Sequence, residues 1–147
     1  MKKIIALALA AVLALGLMAG CGAEETTGGD TVNVCVVVSS TFGDRSFNDS
    51  AKEGADKLAA DYENISVSTI ECNNENFDAQ MQNAADTANI VVCVGWEFYN
   101  VETIALDYPD VYWIWVDNAT GAPVSNVLNI TYAQNEGSYL AGYIAAA

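Results

Sequence analysis

From Val32 onward, short apolar runs rich in β-branched residues alternate with segments whose apolar residues recur at helical spacing. The first run, "VNVCVVV" from Val32 to Val38, is almost unbroken, as expected of a strand covered on both faces. Phe47, Ala51, Gly54, Ala55, Leu58, Ala59 and Tyr62 then fall every three or four positions and form one stripe of a helix. Ser46 or Asn48 is expected to cap its start, with Asp49 near the positive end of the helix. The cycle repeats: "ISVSTIE" reads as a second strand, Phe77, Met81, Ala84, Ala85 and Ala88 stripe a second helix capped by Asn76, and "NIVVCVG" is a third strand. A weaker helix over residues 98–106 stops at "YPD", "VYWIWVD" is a fourth strand and "SNVLNITY" a fifth. A last helix from about Asn135 carries Leu140, Tyr143, Ile144 and Ala147 on one stripe. The sequence stops inside that stripe, so the chain is expected to be the N-terminal fragment of a longer protein.

Strands alternating with helices imply an α/β fold, a doubly wound parallel sheet with right-handed crossovers and helices on both faces. The simplest open arrangement has strand order 2-1-3-4-5, with ligands binding beyond the carboxyl ends of the strands near the point where the order reverses. Residues 40–48, 71–77, 95–98 and 117–120 are therefore expected to meet at one edge.

The 147 residues are 52% hydrophobic, enough for about one domain with a substantial core. Acids outnumber bases 19 to 5, and such a surface repels phosphate backbones, which argues against a nucleic-acid partner. There is no histidine and no CxxC spacing, so zinc binding and His-dependent catalysis have no material to work with. The phosphate-binding GK[ST] pattern is missing as well.

The N-terminus reads as an export signal. Lys2 and Lys3 precede an apolar segment, Ile4 to Leu17, that is too short for the roughly 30 Å hydrocarbon core of a bilayer. It ends in "LMAGC", which resembles the bacterial lipobox; Cys21 is then the lipidated residue, residues 1–20 are the signal peptide, and 21–30, with the Gly/Thr/acid stretch "GAEETTGGD", are a flexible tether. These features place the body, residues 31–147, on the extracytoplasmic side of the cell membrane. The remaining cysteines, Cys35, Cys72 and Cys93, are odd in number, and two lie inside apolar runs, which favours buried thiols over disulfides.

The strand ends carry the candidate ligand contacts. Ser39, Ser40, Thr41, Asp44, Phe47 and Asn48 follow the first strand; Gly95, Trp96 and Glu97 follow the third; Asp117 and Asn118 follow the fourth. Hydroxyls, amides and carboxylates beside aromatic rings suit a ligand with a flat face and several hydroxyls, such as a nucleoside. A ring stacks on the base, and a carboxylate accepts two sugar hydroxyls. Asp117 is favoured as that carboxylate because it ends a rigid strand. Purely structural roles stay open: Phe47 as a core residue, Asp117 as a cap of the turn "DNATG", Asp44 paired with Arg45, and Asn48 as a helix cap. No nucleophile, metal cluster or histidine joins Asp44 and Asp117, so capture is expected rather than catalysis, with no cofactor.

"GDRSFNDSAKEG" resembles the signature of the basic membrane protein family of bacterial lipoproteins, which includes purine-nucleoside receptors of ABC transporters. "VVCVGWEF", "YPDVYWIWVD" and "NITYAQNEGSYLAGYIAAA" resemble later segments of that family in the same order. The resemblance implies the first lobe of a two-lobed type I periplasmic-binding fold that closes on its ligand by hinge motion, with the second lobe missing. By that analogy Phe47 stacks on the base, Asp117 holds the ribose, and a permease and ATPase are the partners. Nucleoside receptors of the family place an Asp just after the first strand, where this chain has Ser39 and Ser40. That departure keeps a sugar-binding receptor of the same fold as an alternative, beside a surface adhesin or regulatory lipoprotein.

Overall fold

The computed structural model describes residues 31–147 apart from Thr120 and Ala122; the leader, Cys21 and the tether lie outside the described residues. The elements are β1 (Val32–Val38), α1 (Phe47–Asp61), β2 (Ile65–Glu71), α2 (Phe77–Ala85), β3 (Ile90–Val94), α3 (Val101–Ala105), β4 (Tyr112–Val116), β5 (Val127–Ile130) and α4 (Gln134–Ala146). All neighbouring strands pair in parallel, in the order β2-β1-β3-β4-β5. The chain runs outward from β1 to β2 and returns to β3, so the order reverses between β1 and β3.

The two faces of this sheet are covered unequally. On one, Cys35, Val37, Val91, Cys93, Trp113 and Trp115 pack with Met81, Ala84 and Ala85 of α2 and with Val101 and Ala105 of α3. On the other, Val36, Val38 and Val94 meet α1 through Ala55. Beyond α1 that second face is thinly covered: Val92, Ile114 and Val116 are half-buried, and Leu128 and Ile130 of β5 are exposed. The stripe expected on α4 is likewise exposed at Leu140, Tyr143, Ile144 and Ala147, as is Tyr139 beside it.

Local chemistry departs from the sequence expectation at four places. Neither Ser46 nor Asn48 makes a side-chain cap bond to α1, because Asp44 occupies those amides. Asn76 does not cap α2: its φ of 54° is left-handed, whereas an N-cap side chain reaches the first-turn amides from an extended backbone. The third helix begins at Val101 rather than at residue 98, since Phe98 drops its ring into the core, fully buried and edge-on to Phe77 at 5.5 Å between centroids. Finally, β5 starts at Val127, because Asn126 turns inward and its side-chain amide donates to the carbonyls of Ala105, Tyr108 and Val111. That amide ties the turn after α3 to the start of β4, adding to the backbone bonds from the Tyr108 amide to the Ala105 carbonyl and from the Val111 amide to the Tyr108 carbonyl.

Candidate ligand-binding site

Two aspartates build the loop after β1. The Asp49 carboxylate accepts from the amides of Gly43 (2.6 Å) and Arg45 (2.8 Å), and Asp44 accepts from those of Ser46 (2.8 Å), Asn48 (3.1 Å) and Asp49 (3.1 Å). Gly43 at φ 93° and Arg45 at φ 51° supply the left-handed turns that aim these amides inward. Asn48 is buried, and its side-chain amide donates to the Thr41 carbonyl at 3.3 Å. Asp44 therefore anchors the start of α1 and is not paired with Arg45; among the described residues the ion pairs are Lys52–Asp56 and Lys57–Asp61.

The Ser46 amide, helped by those of Asn48 and Asp49, holds the Asp44 carboxyl below the usual carboxylate range. A carboxyl depressed by folding stabilises the fold above its unfolded pKa, and the contribution is lost as pH falls through the lower folded value. Acidification is thus expected to release the Ser46, Asn48 and Asp49 amides while β3 stays protected, as hydrogen exchange followed by NMR reports. Loss of protection at the loop and at β3 together would contradict this.

At the reversal point the ends of β1 and β3 meet. Ser39 is buried, and its carbonyl accepts from the Asn74 amide at 2.8 Å, while Ser40 Oγ accepts from the Asn74 side chain at 3.2 Å. Gly95 has φ 127°, and a Cβ there would lie 2.3 Å from Glu97 Oε2 and 3.5 Å from Ser39 Oγ. Glycine therefore lets the Glu97 carboxylate fold back over the strand end beside Ser39. Behind it, Trp115 Nε1 donates to the Gly95 carbonyl at 2.8 Å and fixes the position of that backbone.

The end of β4 is held from β5. The Asp117 amide donates to the Ile130 carbonyl at 2.8 Å, its φ is 74°, and its Oδ1 accepts from Nε2 of Gln134, the first residue of α4. Asn118 turns its Oδ1 to the Ala119 amide, while Trp96 stands exposed. Phe47, 38% exposed, lines a groove of about 340 Å³ together with Val94, Val116 and Tyr132. Ring and carboxylate thus stand at the same end of the sheet, because Asp117 directly follows Val116.

The structure therefore gathers Ser39, Ser40, Gly95 and Glu97 at one point and Asp117 with Gln134 at the next strand end, with Phe47 above the groove between α1 and the sheet. Asp44 and Asn48 lie on the same edge with their side chains engaged by the loop. Gln134 and Tyr132 escaped the sequence reading, whereas Asn74 lies in the 71–77 segment expected at this edge without having been singled out. The signal for Gln134 is the β4–β5 register, which pairs Val116 with Ile130 and brings the next residues of both strands together.

Such an edge can accept hydrogen bonds from hydroxyls and present a ring. It offers no activated thiol: burial, reinforced by the Glu97 charge, pushes the Cys72 thiol up to about 11, and burial raises Cys35 and Cys93 as well. All three are free and buried. They are expected to stay silent toward Ellman's reagent at mildly alkaline pH in the native body and to titrate fully in denaturant. Rapid native labelling would contradict this burial.

A family profile described as Bmp, ABC transporter substrate-binding protein PnrA-like, matches residues 31–147. Basic membrane protein A of Borreliella burgdorferi is 27% identical over 130 residues, covering 86% of this chain and 38% of that protein. An uncharacterised lipoprotein of Pyrococcus furiosus is 28% identical, covering 99% of this chain and 38% of its own length. Among solved structures, an ABC transporter solute-binding protein of Aeropyrum pernix superposes with a TM-score of 0.67 at 26% identity, over 78% of this chain and 32% of that one. The chain thus spans little more than a third of the length of the relatives it matches.

Proposed function

The chain belongs to the Bmp family of PnrA-like ABC transporter substrate-binding proteins, and from that premise we propose that it is the first lobe of an extracytoplasmic receptor that captures a purine nucleoside for an ABC importer. One observation carries the nucleoside reading: a half-buried carboxylate, Asp117, anchored at the end of the interior strand β4, stands at the same sheet edge as the partly exposed ring of Phe47. The carboxylate suits the paired hydroxyls of a ribose and the ring suits a base. Ser39, Ser40, Gly95 and Glu97 line the neighbouring strand ends and complete the polar wall. Asp44 and Asn48 support this wall by holding the loop that presents Phe47.

In this reading the ligand lies between this lobe and a second one, which together close on it by a hinge. Cys21 is the lipidated residue that holds the receptor at the membrane, and a permease and ATPase receive the ligand. Binding and release suffice, so the protein is a receptor and not an enzyme. A sugar is the second reading, favoured by the serines at positions 39 and 40.

A thermal-shift screen of the two-lobed protein separates the two. Adenosine, guanosine and inosine are expected to raise the melting temperature, and free ribose or glucose to leave it in place. A shift with a sugar alone would replace the nucleoside reading with the second. Mass spectrometry of the mature protein, before and after Cys21→Ala, tests the anchor: loss of the diacylglyceryl mass in the variant is expected, and an unmodified wild-type Cys21 would remove the anchor.

A further inference from the structure

Asp117 has two attachments, and they come from different places. Its amide is tied to β5 through the Ile130 carbonyl, and its Oδ1 is tied to α4 through Gln134 Nε2. The left-handed φ of 74° is a conformation that aspartate tolerates better than most side chains. An aspartate with only its backbone fixed still rotates about its side-chain bonds. A second bond at one carboxylate oxygen removes much of that freedom before any ligand arrives, and preorganisation of this kind raises affinity by lowering the ordering cost of binding. Gln134 is suited to the task because a neutral amide donates without adding charge at a carboxylate.

We propose that Gln134 is a positioning residue for ligand binding: by donating to Oδ1 it sets the orientation in which Asp117 offers its carboxylate to the hydroxyls of a ligand. This rests on the reading of Asp117 as a ligand contact. The same bond links the site to the first turn of α4, so the carboxylate that receives the ligand is braced by the segment that leaves the sheet. Other titratable groups on the elements around Asp117 are Glu97 after β3, Tyr132 between β5 and α4, and Glu136 in the first turn of α4.

The test is calorimetric titration of the two-lobed protein with guanosine and inosine, for the wild type, Gln134→Ala, Gln134→Glu and Asp117→Asn. Gln134→Ala is expected to weaken binding about tenfold, the worth of one charge-assisted hydrogen bond. Gln134→Glu supplies a readout that a merely structural residue would not move. When protonated, the introduced carboxyl still donates to Asp117; when ionised, it repels it. Its affinity is expected to approach the wild-type value in acid, near pH 5, and to fall to that of Gln134→Ala near pH 8, while the wild type changes little between them. Equal binding by wild type and both Gln134 variants at both pH values overturns the proposal. If Asp117→Asn abolishes binding in the same series, the reading of Asp117 stands and only this inference falls; if Asp117→Asn binds as the wild type does, both fall. Silence of the wild type toward both nucleosides also overturns both. A ligand-free check uses the Gln134 side-chain amide signals in an NMR spectrum, which should move in Asp117→Gly, a variant that keeps the left-handed backbone, and whose constancy would overturn the contact itself.

Discussion

Trp115→Ala lowers the unfolding free energy of the lobe by about 3–5 kcal/mol, the range for deleting a fully buried large aromatic. Trp115 is 0% exposed and sits on the face of the sheet covered by α2 and α3. Its removal leaves a cavity in that core and strips the Gly95 carbonyl of its indole donor. A domain of this size holds roughly 5–15 kcal/mol in all, so one substitution removes a large share of it. Trp115→Phe separates the two parts: it keeps most of the apolar volume and loses the hydrogen bond, with an expected loss of about 1–3 kcal/mol. Leu128→Ala serves as the contrast, since Leu128 is 59% exposed on β5 and its truncation should change stability by less than about 0.5 kcal/mol. Urea unfolding followed by circular dichroism ranks the three variants. A Trp115→Ala midpoint equal to the wild-type value would contradict the packing described.

The second large effect is on binding. Asp117→Asn is expected to weaken nucleoside binding about a hundredfold, since two charge-assisted hydrogen bonds to a ribose become weaker neutral ones or are lost. Asparagine is the informative replacement because it tolerates left-handed backbone, as alanine at φ 74° does not. The melting temperature of Asp117→Asn should therefore stay close to that of the wild type, and lost affinity can be read as lost ligand contact. A variant that binds normally would move the ligand away from the end of β4.

How much of this was legible in the sequence depends on the range over which each feature is decided. The elements followed from local patterns: the unbroken run Val32–Val38 and the striped helix after it need only their own residues to be recognised, and their alternation led to the strand order through the topology rules for doubly wound sheets. The caps were misjudged because Ser46, Asn48 and Asn76 are good cap residues by type, while the actual donors and acceptors depend on backbone angles such as those of Arg45 and Asn76. Phe98 belongs to the same class, since its apolar character allowed a helix start there but its burial against Phe77 delays the helix to Val101.

The site was legible as an edge and not as a set of contacts. The rule for parallel sheets put Ser39, Gly95 and Asp117 at one end of the strands, and the structure places them there. That Glu97 folds over Gly95 depends on the left-handed backbone of Gly95, which a lone glycine in sequence does not specify. That Gln134 reaches Asp117 depends on the register of β4 against β5, fixed by pairing between segments far apart in the chain. The exposed stripe of α4 was beyond reach for a similar reason: periodicity says which residues would pack together, and says nothing of what lies opposite.

The central claim, that the strand ends form one wall of a nucleoside cleft, is tested most directly by calorimetric titration of the two-lobed protein with guanosine, inosine and adenosine beside ribose and glucose. The expected result is saturable one-to-one binding of a purine nucleoside with a dissociation constant of about 1 µM or tighter, weakened about a hundredfold by Asp117→Asn. Saturable binding of a sugar with no heat from any nucleoside, or nucleoside binding indifferent to Asp117, would contradict it.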